Sequence, residues 1–267
     1  ESWNINPCLI EEEISEKTKA IIVVHLYGYP CNMDLINRIA KKNSLLVIED
    51  CAESIGSQYK NLPTGLFGDA ATFSFFGNKT ITTGEGGMVV FKNPSNANLA
   101  RKLRDHGMSK QKKYWHEMVG YNYRLTNLQA AVGVAQLERL DFFIQRKREI
   151  SKKYNNILKS NSDLILPKDG GEFYNSYWLY TFIIKPNPNF NRDTLVKFLE
   201  NRGIEARKVF YPLNKMPPYL QYSNTKLFKV SDFFSENGLS LPSSYSLSDN
   251  DIEYICSSLD LFRKNFK

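Results

Sequence analysis

Ala20-Ile-Ile-Val-Val-His-Leu26, closed by Tyr27-Gly-Tyr-Pro30 and followed by Met33-Asp-Leu-Ile-Asn-Arg-Ile-Ala-Lys-Lys42, is the stretch whose reading decides the fold. A short, continuously apolar run stopped by a glycine-proline turn predicts a strand buried on both sides. In the following segment Leu35, Ile36, Ile39 and Ala40 share one side of a helix. Strand signals then return at Leu45–Glu49, Ala71–Phe76 and Met88–Phe91. Apolar strands alternating with helices predict an α/β fold, a mostly parallel sheet covered on both faces. Ligands of such sheets sit beyond the carboxyl ends of the strands. Asp50 lies at one such end and His25 near another.

Beyond this core, Ala97–Arg104 predicts a helix, and the polar, aromatic segment His106–Tyr123 a long functional loop. Asn127 to about Tyr154 reads as one long helix with Leu128, Ala131, Val132, Ala135, Leu137 and Leu140 as its apolar stripe. A change of texture within it, near residue 145, divides a larger domain (1–145) from a smaller α+β domain (146–267). In the latter, Tyr177–Ile184 and Ala206–Phe210 predict strands. Arg192–Arg202, ended by Gly203, and Asp249–Leu261 predict helices, and Pro212–Pro218 a loop. There is no internal repeat.

A chain of 267 residues can bury a substantial core. No run approaches the ~18 uninterrupted apolar residues of a membrane span. The opening Glu1-Ser-Trp-Asn reads as mid-protein sequence rather than a leader. The formal charge of +7 raises nucleic acid as a partner, but bases and acids are interspersed, as in Arg101-Lys-Leu-Arg-Asp105. A solvated surface is the plainer reading of that excess, and a basic cleft for a diphosphate-containing substrate the sharper one. Cys8, Cys31, Cys51 and Cys256 form no CxxC pair; the first three read as small buried thiols, and a reducing cytoplasm is expected. His25, His106 and His116 lack metal-ligand spacing, so no metal site is expected.

The chemistry concentrates in Phe73-Ser-Phe-Phe-Gly-Asn-Lys79, which leads into Thr83-Gly-Glu-Gly-Gly-Met88. A lysine just past a strand and a carboxylate ending a neighbouring one are the two charges that pyridoxal phosphate (PLP) requires of a protein. Lys79 suits the amine, since partial desolvation makes an ammonium nucleophilic. Asp50 suits the partner of the pyridine nitrogen, and Ser74 suits a phosphate donor. Taken singly, each has a plainer reading: a surface lysine in a turn, a strand-end acid capping the next turn, an ordinary strand serine. Gly84, Gly86 and Gly87 by themselves mark a hairpin.

Further runs complete a pattern: His25-Leu-Tyr-Gly28, Glu49-Asp-Cys-Ala-Glu-Ser54, Leu103-Arg-Asp-His-Gly-Met108, Gly120-Tyr-Asn-Tyr-Arg124 and Leu128-Gln-Ala-Ala131. Gly203-Ile-Glu-Ala-Arg207, Tyr211-Pro-Leu213 and Leu239-Ser-Leu-Pro242 follow. With these, essentially the whole chain resembles the DegT/DnrJ/EryC1/StrS family of PLP-dependent nucleotide-sugar aminotransferases. The resemblance implies the type I (aspartate-aminotransferase-like) fold, working as a homodimer with active sites at the subunit interface. By position it implies Lys79 as the Schiff-base lysine, Asp50 as the pyridinium partner and Ser74 as a phosphate donor. Asn122 would reach the phosphate of the neighbouring subunit's cofactor, although as a loop residue alone it reads as a capping amide. Glu53 would lie near the cofactor or the reacting sugar.

The implied reaction is ping-pong transfer of an amino group from glutamate to C4 of a nucleotide-linked 4-keto-6-deoxy sugar. A GDP-linked 4-keto-6-deoxyhexose, GDP-4-keto-6-deoxymannose, is the favoured acceptor; UDP- or dTDP-sugars, or amination at C3, are the alternatives. Two departures stand out. The family's N-terminal segment, with its phosphate loop, has no counterpart here, which implies a fragment. Asn214 in Tyr211-Pro-Leu-Asn214 replaces the histidine of many relatives. A sugar dehydratase of the same family carries histidine in place of the lysine, and Lys79 argues against it. Retention of both Asp50 and Lys79 argues against a non-catalytic relative.

Overall fold

The computed structural model describes residues 2–187, 191–222 and 228–265. Its elements are, in order, β1 (Ala20–Val24), α1 (Met33–Lys42), β2 (Leu46–Asp50), β3 (Gln58–Tyr59), β4 (Leu62–Pro63), β5 (Ala70–Ser74), β6 (Gly87–Phe91), α2 (Pro94–Arg104) and α3 (Asn127–Leu137). There follow α4 (Leu140–Leu158), β7 (Leu164–Ile165), β8 (Phe173–Tyr174), β9 (Tyr180–Ile184), α5 (Arg192–Glu200), β10 (Arg207–Lys208), α6 (Lys229–Asn237), β11 (Gly238–Leu241) and α7 (Asp249–Asn265). They form two compact units, Glu1–Ile144 with Gly170–Ser176, and Gln145–Asp169 with Tyr177–Lys267.

In the first unit the sheet runs β1-β2-β5-β6. β1, β2 and β5 are parallel, whereas β6 is antiparallel to β5. The reason lies in the connection. A loop rather than a helix joins β5 to β6, and a parallel return needs a longer crossover. Side chains alternate across the sheet, so Ile21, Val23, Val47 and Ala71 are buried on one face. There α1 adds Met33, Ile36 and Ala40, its start capped by Asn32, whose side chain accepts from Leu35 N–H at 3.2 Å. The opposite face is open, contrary to the expectation of two covered faces: Ile22 is 63% and Leu46 56% exposed. β3, β4 and β8 make a small second sheet in the order β4-β3-β8.

The long helix expected from Asn127 is two helices. α3 ends at Leu137 and α4 begins at Leu140, with the Glu138 N–H bonded back to Val134 O at 3.0 Å. The two present different sides. Leu128, Val132 and Leu137 of the expected stripe are exposed, whereas Phe143, Ile144 and Ile150 of α4 are buried. β1 is also shorter than expected, since His25 leaves it for a 3-10 turn at Leu26–Gly28. Cys8 is exposed rather than buried, while Cys31, Cys51 and Cys256 are buried.

The second unit is α+β. Its antiparallel sheet runs β10-β11-β9-β7 around a fully buried β9. Tyr180, Phe182 and Ile184 meet Ile150 and Tyr154 of α4, Leu195 and Leu199 of α5, and Ile252, Leu259 and Phe262 of α7. Each such fully buried side chain contributes about 1.5–3 kcal/mol. Lys147 is buried in this unit, its Nζ donating to Trp178 O at 3.1 Å and Ser243 O at 3.0 Å. Burial pushes its pKa down to about 8.

Candidate active site

The site grows from the carboxyl ends of β2 and β5. Asp50 pairs in register with Thr72, so Ser74, two residues on, projects from the same face as Asp50. This is the open face of the sheet. Asp50 Oδ1 accepts the Ala52 N–H at 3.0 Å, an Asx turn that ends the strand and fixes the carboxylate.

Lys79 stands on the loop between β5 and β6. Phe75 O accepts the Thr83 N–H at 2.9 Å and the Thr82 hydroxyl at 3.0 Å, and the Phe75 N–H donates to Gly86 O at 2.9 Å. Within this frame the Lys79 N–H closes a turn on Phe76 O at 3.0 Å. Gly86, at φ +138°, takes a conformation that a side chain would strain, and an added Cβ would stand 2.6 Å from a Leu125 methyl. The loop is tied to α3 as well: Gln129 of the Thr126–Gln129 capping box donates to Glu85 O at 3.2 Å.

Charge brings Lys79, Asp50 and Glu53 together. Burial pushes the Lys79 ammonium below the usual lysine range, against the opposing pull of Glu53 and Asp50. Glu53 is buried, and burial raises its pKa to about 7, despite the Tyr27 N–H donated to its Oε2 at 2.7 Å and the charge of Lys79. Tyr27 makes that bond from a left-handed backbone, φ +55°, a strained conformation for a large side chain. The strained turn is bracketed by Asn4, which accepts from Leu26 N–H at 2.9 Å and donates to Tyr29 O at 2.7 Å.

The raised carboxyl carries a pH prediction. Glu53 goes from an ordinary 4.5 when unfolded to about 7 when folded, so its neutral form favours the fold. Relative to Glu53→Gln, the cofactor-free protein loses stability as pH rises from 4.5 through 7, by about 3 kcal/mol at the plateau. Urea denaturation of both proteins across that range checks it. A pH-independent difference would mean that Glu53 titrates normally.

Ser74 Oγ accepts the Phe76 N–H at 3.3 Å, which leaves its own proton for an acceptor. Asn122 is not part of this cluster's wiring: it is exposed on the loop after α2, bridged antiparallel to Asp105. That loop is held by Tyr121 N–H to Leu103 O at 2.6 Å and Tyr123 N–H to Arg104 O at 3.0 Å.

Sequence reading missed a second cluster, beneath the sheet. His25 and Glu49 are wholly buried, with Nε2 and Oε2 3.0 Å apart. The Glu49 carboxylate also accepts the N–H groups of Gly65 at 2.8 Å, Phe67 at 2.7 Å and Gly68 at 2.6 Å. Burial opposes its charge, but the bonds from His25 and the turn amides prevail and hold the pKa below the usual range. Cys51 brings a third potential ligand atom within 4.8 Å. Both imidazole nitrogens are engaged, however, since Nδ1 accepts the Cys31 N–H at 2.9 Å. Hydrogen bonds therefore account for this grouping. The only trace in the sequence is that His25 and Glu49 each fall at the end of an apolar run, Ala20–Val24 and Leu45–Ile48.

The donor set fits pyridoxal phosphate. It has an amine that burial shifts toward the free base, a carboxylate fixed at a strand end, and a hydroxyl with a proton to give. Fold and site together define a PLP-dependent transferase of the aspartate-aminotransferase type. The chain belongs to the DegT/DnrJ/EryC1/StrS aminotransferase family, whose pattern it matches over residues 1–260. It is 43% identical over 262 residues to GDP-perosamine synthase of Escherichia coli O157:H7, covering 98% of this chain and 70% of that protein. To GDP-perosamine synthase of Vibrio cholerae it is 41% identical over 259 residues, covering 97% and 70%. Among solved structures it resembles Helicobacter pylori PseC, an aminotransferase involved in the biosynthesis of pseudoaminic acid. The TM-score is 0.93 at 29% identity, covering 98% of this chain and 71% of that one. The chain is accordingly a PLP-dependent sugar aminotransferase, acting on a nucleotide sugar and an amino donor. Among the described residues, no helix is long and apolar enough to cross a membrane.

Proposed function

We propose that this protein transfers an amino group from glutamate to C4 of GDP-4-keto-6-deoxymannose, yielding GDP-perosamine. The observation that carries the acceptor is the identity of 40–43% to three GDP-perosamine synthases, sustained over 97–98% of the chain. When bound, PLP supplies the electron sink that lets a C–H bond next to the transferred nitrogen ionise. Everything else falls to side chains.

In this reading Lys79 would hold the cofactor through its amine and, as a free base, would carry the proton to and from the sugar carbon. Its burial favours that base form at neutral pH. Asp50 keeps the pyridine nitrogen protonated. Glu53, close enough for its charge to be felt at Lys79, lines the same pocket and adjusts the amine's proton affinity. Ser74 donates to the phosphate. Asn122 serves the phosphate of a second subunit's cofactor, in keeping with its exposure on the loop after α2. The exposed apolar side of α3 supports the homodimer that this requires.

The alternative acceptor is a UDP- or dTDP-linked 4-keto-6-deoxy sugar, because Asn214, in place of the histidine that the family resemblance implies, leaves the nucleotide open. The test is release of 2-oxoglutarate from glutamate with each of the three nucleotide ketosugars, and NMR of the aminated product. Turnover should be at least tenfold faster with the GDP-sugar, about 1.4 kcal/mol of discrimination, with nitrogen at C4. A preference for UDP- or dTDP-sugar, or nitrogen at C3, would replace the acceptor and leave the aminotransferase class untouched.

A further inference from the structure

His25 and Glu49 lie outside the residues assigned above, and their geometry links them to two that are. Glu49 and Asp50 are consecutive on β2, so their carboxylates project to opposite faces of the sheet. Glu49 is anchored below by four donors: the His25 imidazole and the amides of Gly65, Phe67 and Gly68. The anchoring turn has no slack. A Cβ on Gly68 would stand 2.7 Å from Val47 O, and the next residue, Asp69, accepts the Val47 N–H at 2.9 Å.

His25 then closes the circuit above. Its ring is fixed by the Cys31 N–H on Nδ1, which leaves Nε2 to carry the proton given to Glu49. Its backbone N–H donates to Asp50 O at 3.2 Å. Two residues on, the strained Tyr27 N–H holds Glu53. One short segment, His25–Tyr27, therefore bonds the main chain of Asp50 and the carboxyl of Glu53, and the His25 ring that begins it is oriented by Glu49.

We propose that His25 and Glu49 are a positioning couple for the cofactor site, fixing the Asp50 carboxylate and, through Tyr27, the Glu53 carboxyl. The proposal rests on Asp50 being the pyridine partner. A rotation at Glu49 swings the adjoining Asp50 peptide, and release of His25 loosens Asp50 and Glu53 at once.

The test compares Glu49→Gln, His25→Leu, His25→Gln and Asp50→Asn in the PLP-loaded protein. Three quantities are read: retention of PLP on ultrafiltration, the pH midpoint of the cofactor's visible absorbance, and kcat and KM for glutamate. A glutamine at 49 keeps the shape but turns one accepting oxygen into a donor facing N–H groups. Glu49→Gln and His25→Leu should each lower PLP affinity and kcat by about 10–100-fold, the effect usual for partners that orient a functional group. Both should shift the absorbance midpoint in the direction that Asp50→Asn shifts it. His25→Gln, which can still donate to Glu49, should recover part of the loss. If Glu49→Gln and His25→Leu only lower the melting temperature and leave PLP retention, midpoint and kcat at wild-type values, the couple is purely structural and the inference fails. If Glu49→Gln does not fold, the two His25 variants decide alone: equal effects on all three readouts would overturn it. An Asp50→Asn protein with normal retention and midpoint would instead sink the assignment of Asp50. Impairment in Asp50→Asn with normal behaviour in the other variants would sink only the coupling.

Discussion

Lys79→Ala is expected to reduce transamination by at least about 10⁴-fold, because in the proposed roles one substitution removes both the covalent anchor and the proton carrier. The fold should survive. The loop around residue 79 is held by main-chain and threonine bonds among Phe75, Thr82, Thr83 and Gly86, none of which uses the lysine side chain. The Lys79 N–H to Phe76 O bond is also retained by alanine. Burial already disfavours the ammonium, so its removal takes away a poorly solvated charge. Borohydride reduction in the presence of PLP, followed by peptide mass mapping, reads the outcome directly. The wild-type protein should carry a pyridoxyl group on the peptide containing Lys79, and the variant none. Turnover by the variant, or an adduct on another lysine of the wild type, would sink the role given to Lys79.

Asp50→Asn should lower kcat by about 10²–10³-fold, the usual loss when one preorganised charge is taken from an active site. The substitution is conservative in shape: the amide oxygen can still accept the Ala52 N–H that ends β2. What disappears is the negative charge to which the proposed function gives the task of keeping the pyridine nitrogen protonated. The effect should therefore fall on kcat for both half-reactions, and the melting temperature of the cofactor-free protein should change little. Stopped-flow measurement of each half-reaction at saturating substrate checks it. Near-normal rates in both would contradict the role.

Much of this arrangement is legible in the order of residues. Apolar runs marked β1, β2 and β5, and the end of one of them pointed to Asp50, whereas Ser74 was read from its place five residues before Lys79. The helical spacing of Leu35, Ile36, Ile39 and Ala40 marked α1. The division of α3 from α4 was not legible, since no glycine or proline interrupts Leu137-Glu-Arg-Leu140 and helix-forming residues continue through it. What separates the helices is which side each buries, a tertiary choice that periodicity leaves open. The antiparallel β6 escaped for a similar reason: strand direction is set by the connection, and an irregular loop reads alike in either topology. The couple His25–Glu49 was hidden because a buried acid looks like a break in an apolar run. Only the neighbouring strand and the Gly65–Gly68 turn reveal that it is fully hydrogen-bonded.

The return of β8 to the first unit has a kinetic meaning. Gln58 pairs with Tyr174, and the Ser57 hydroxyl donates to that of Ser176 at 2.7 Å across 119 residues of chain. The parallel core from β1 to β5 is made of local segments and can collapse early, but the small sheet beside it stays incomplete until that distant segment has been made. At a synthesis rate of 5–20 residues per second the wait is roughly 6–24 s. Contacts of such long sequence separation also slow refolding, because loop closure precedes the stabilisation that it brings. The nascent protein thus carries an unpaired β3 edge for seconds, an interval in which a chaperone that shields strand edges would raise its yield.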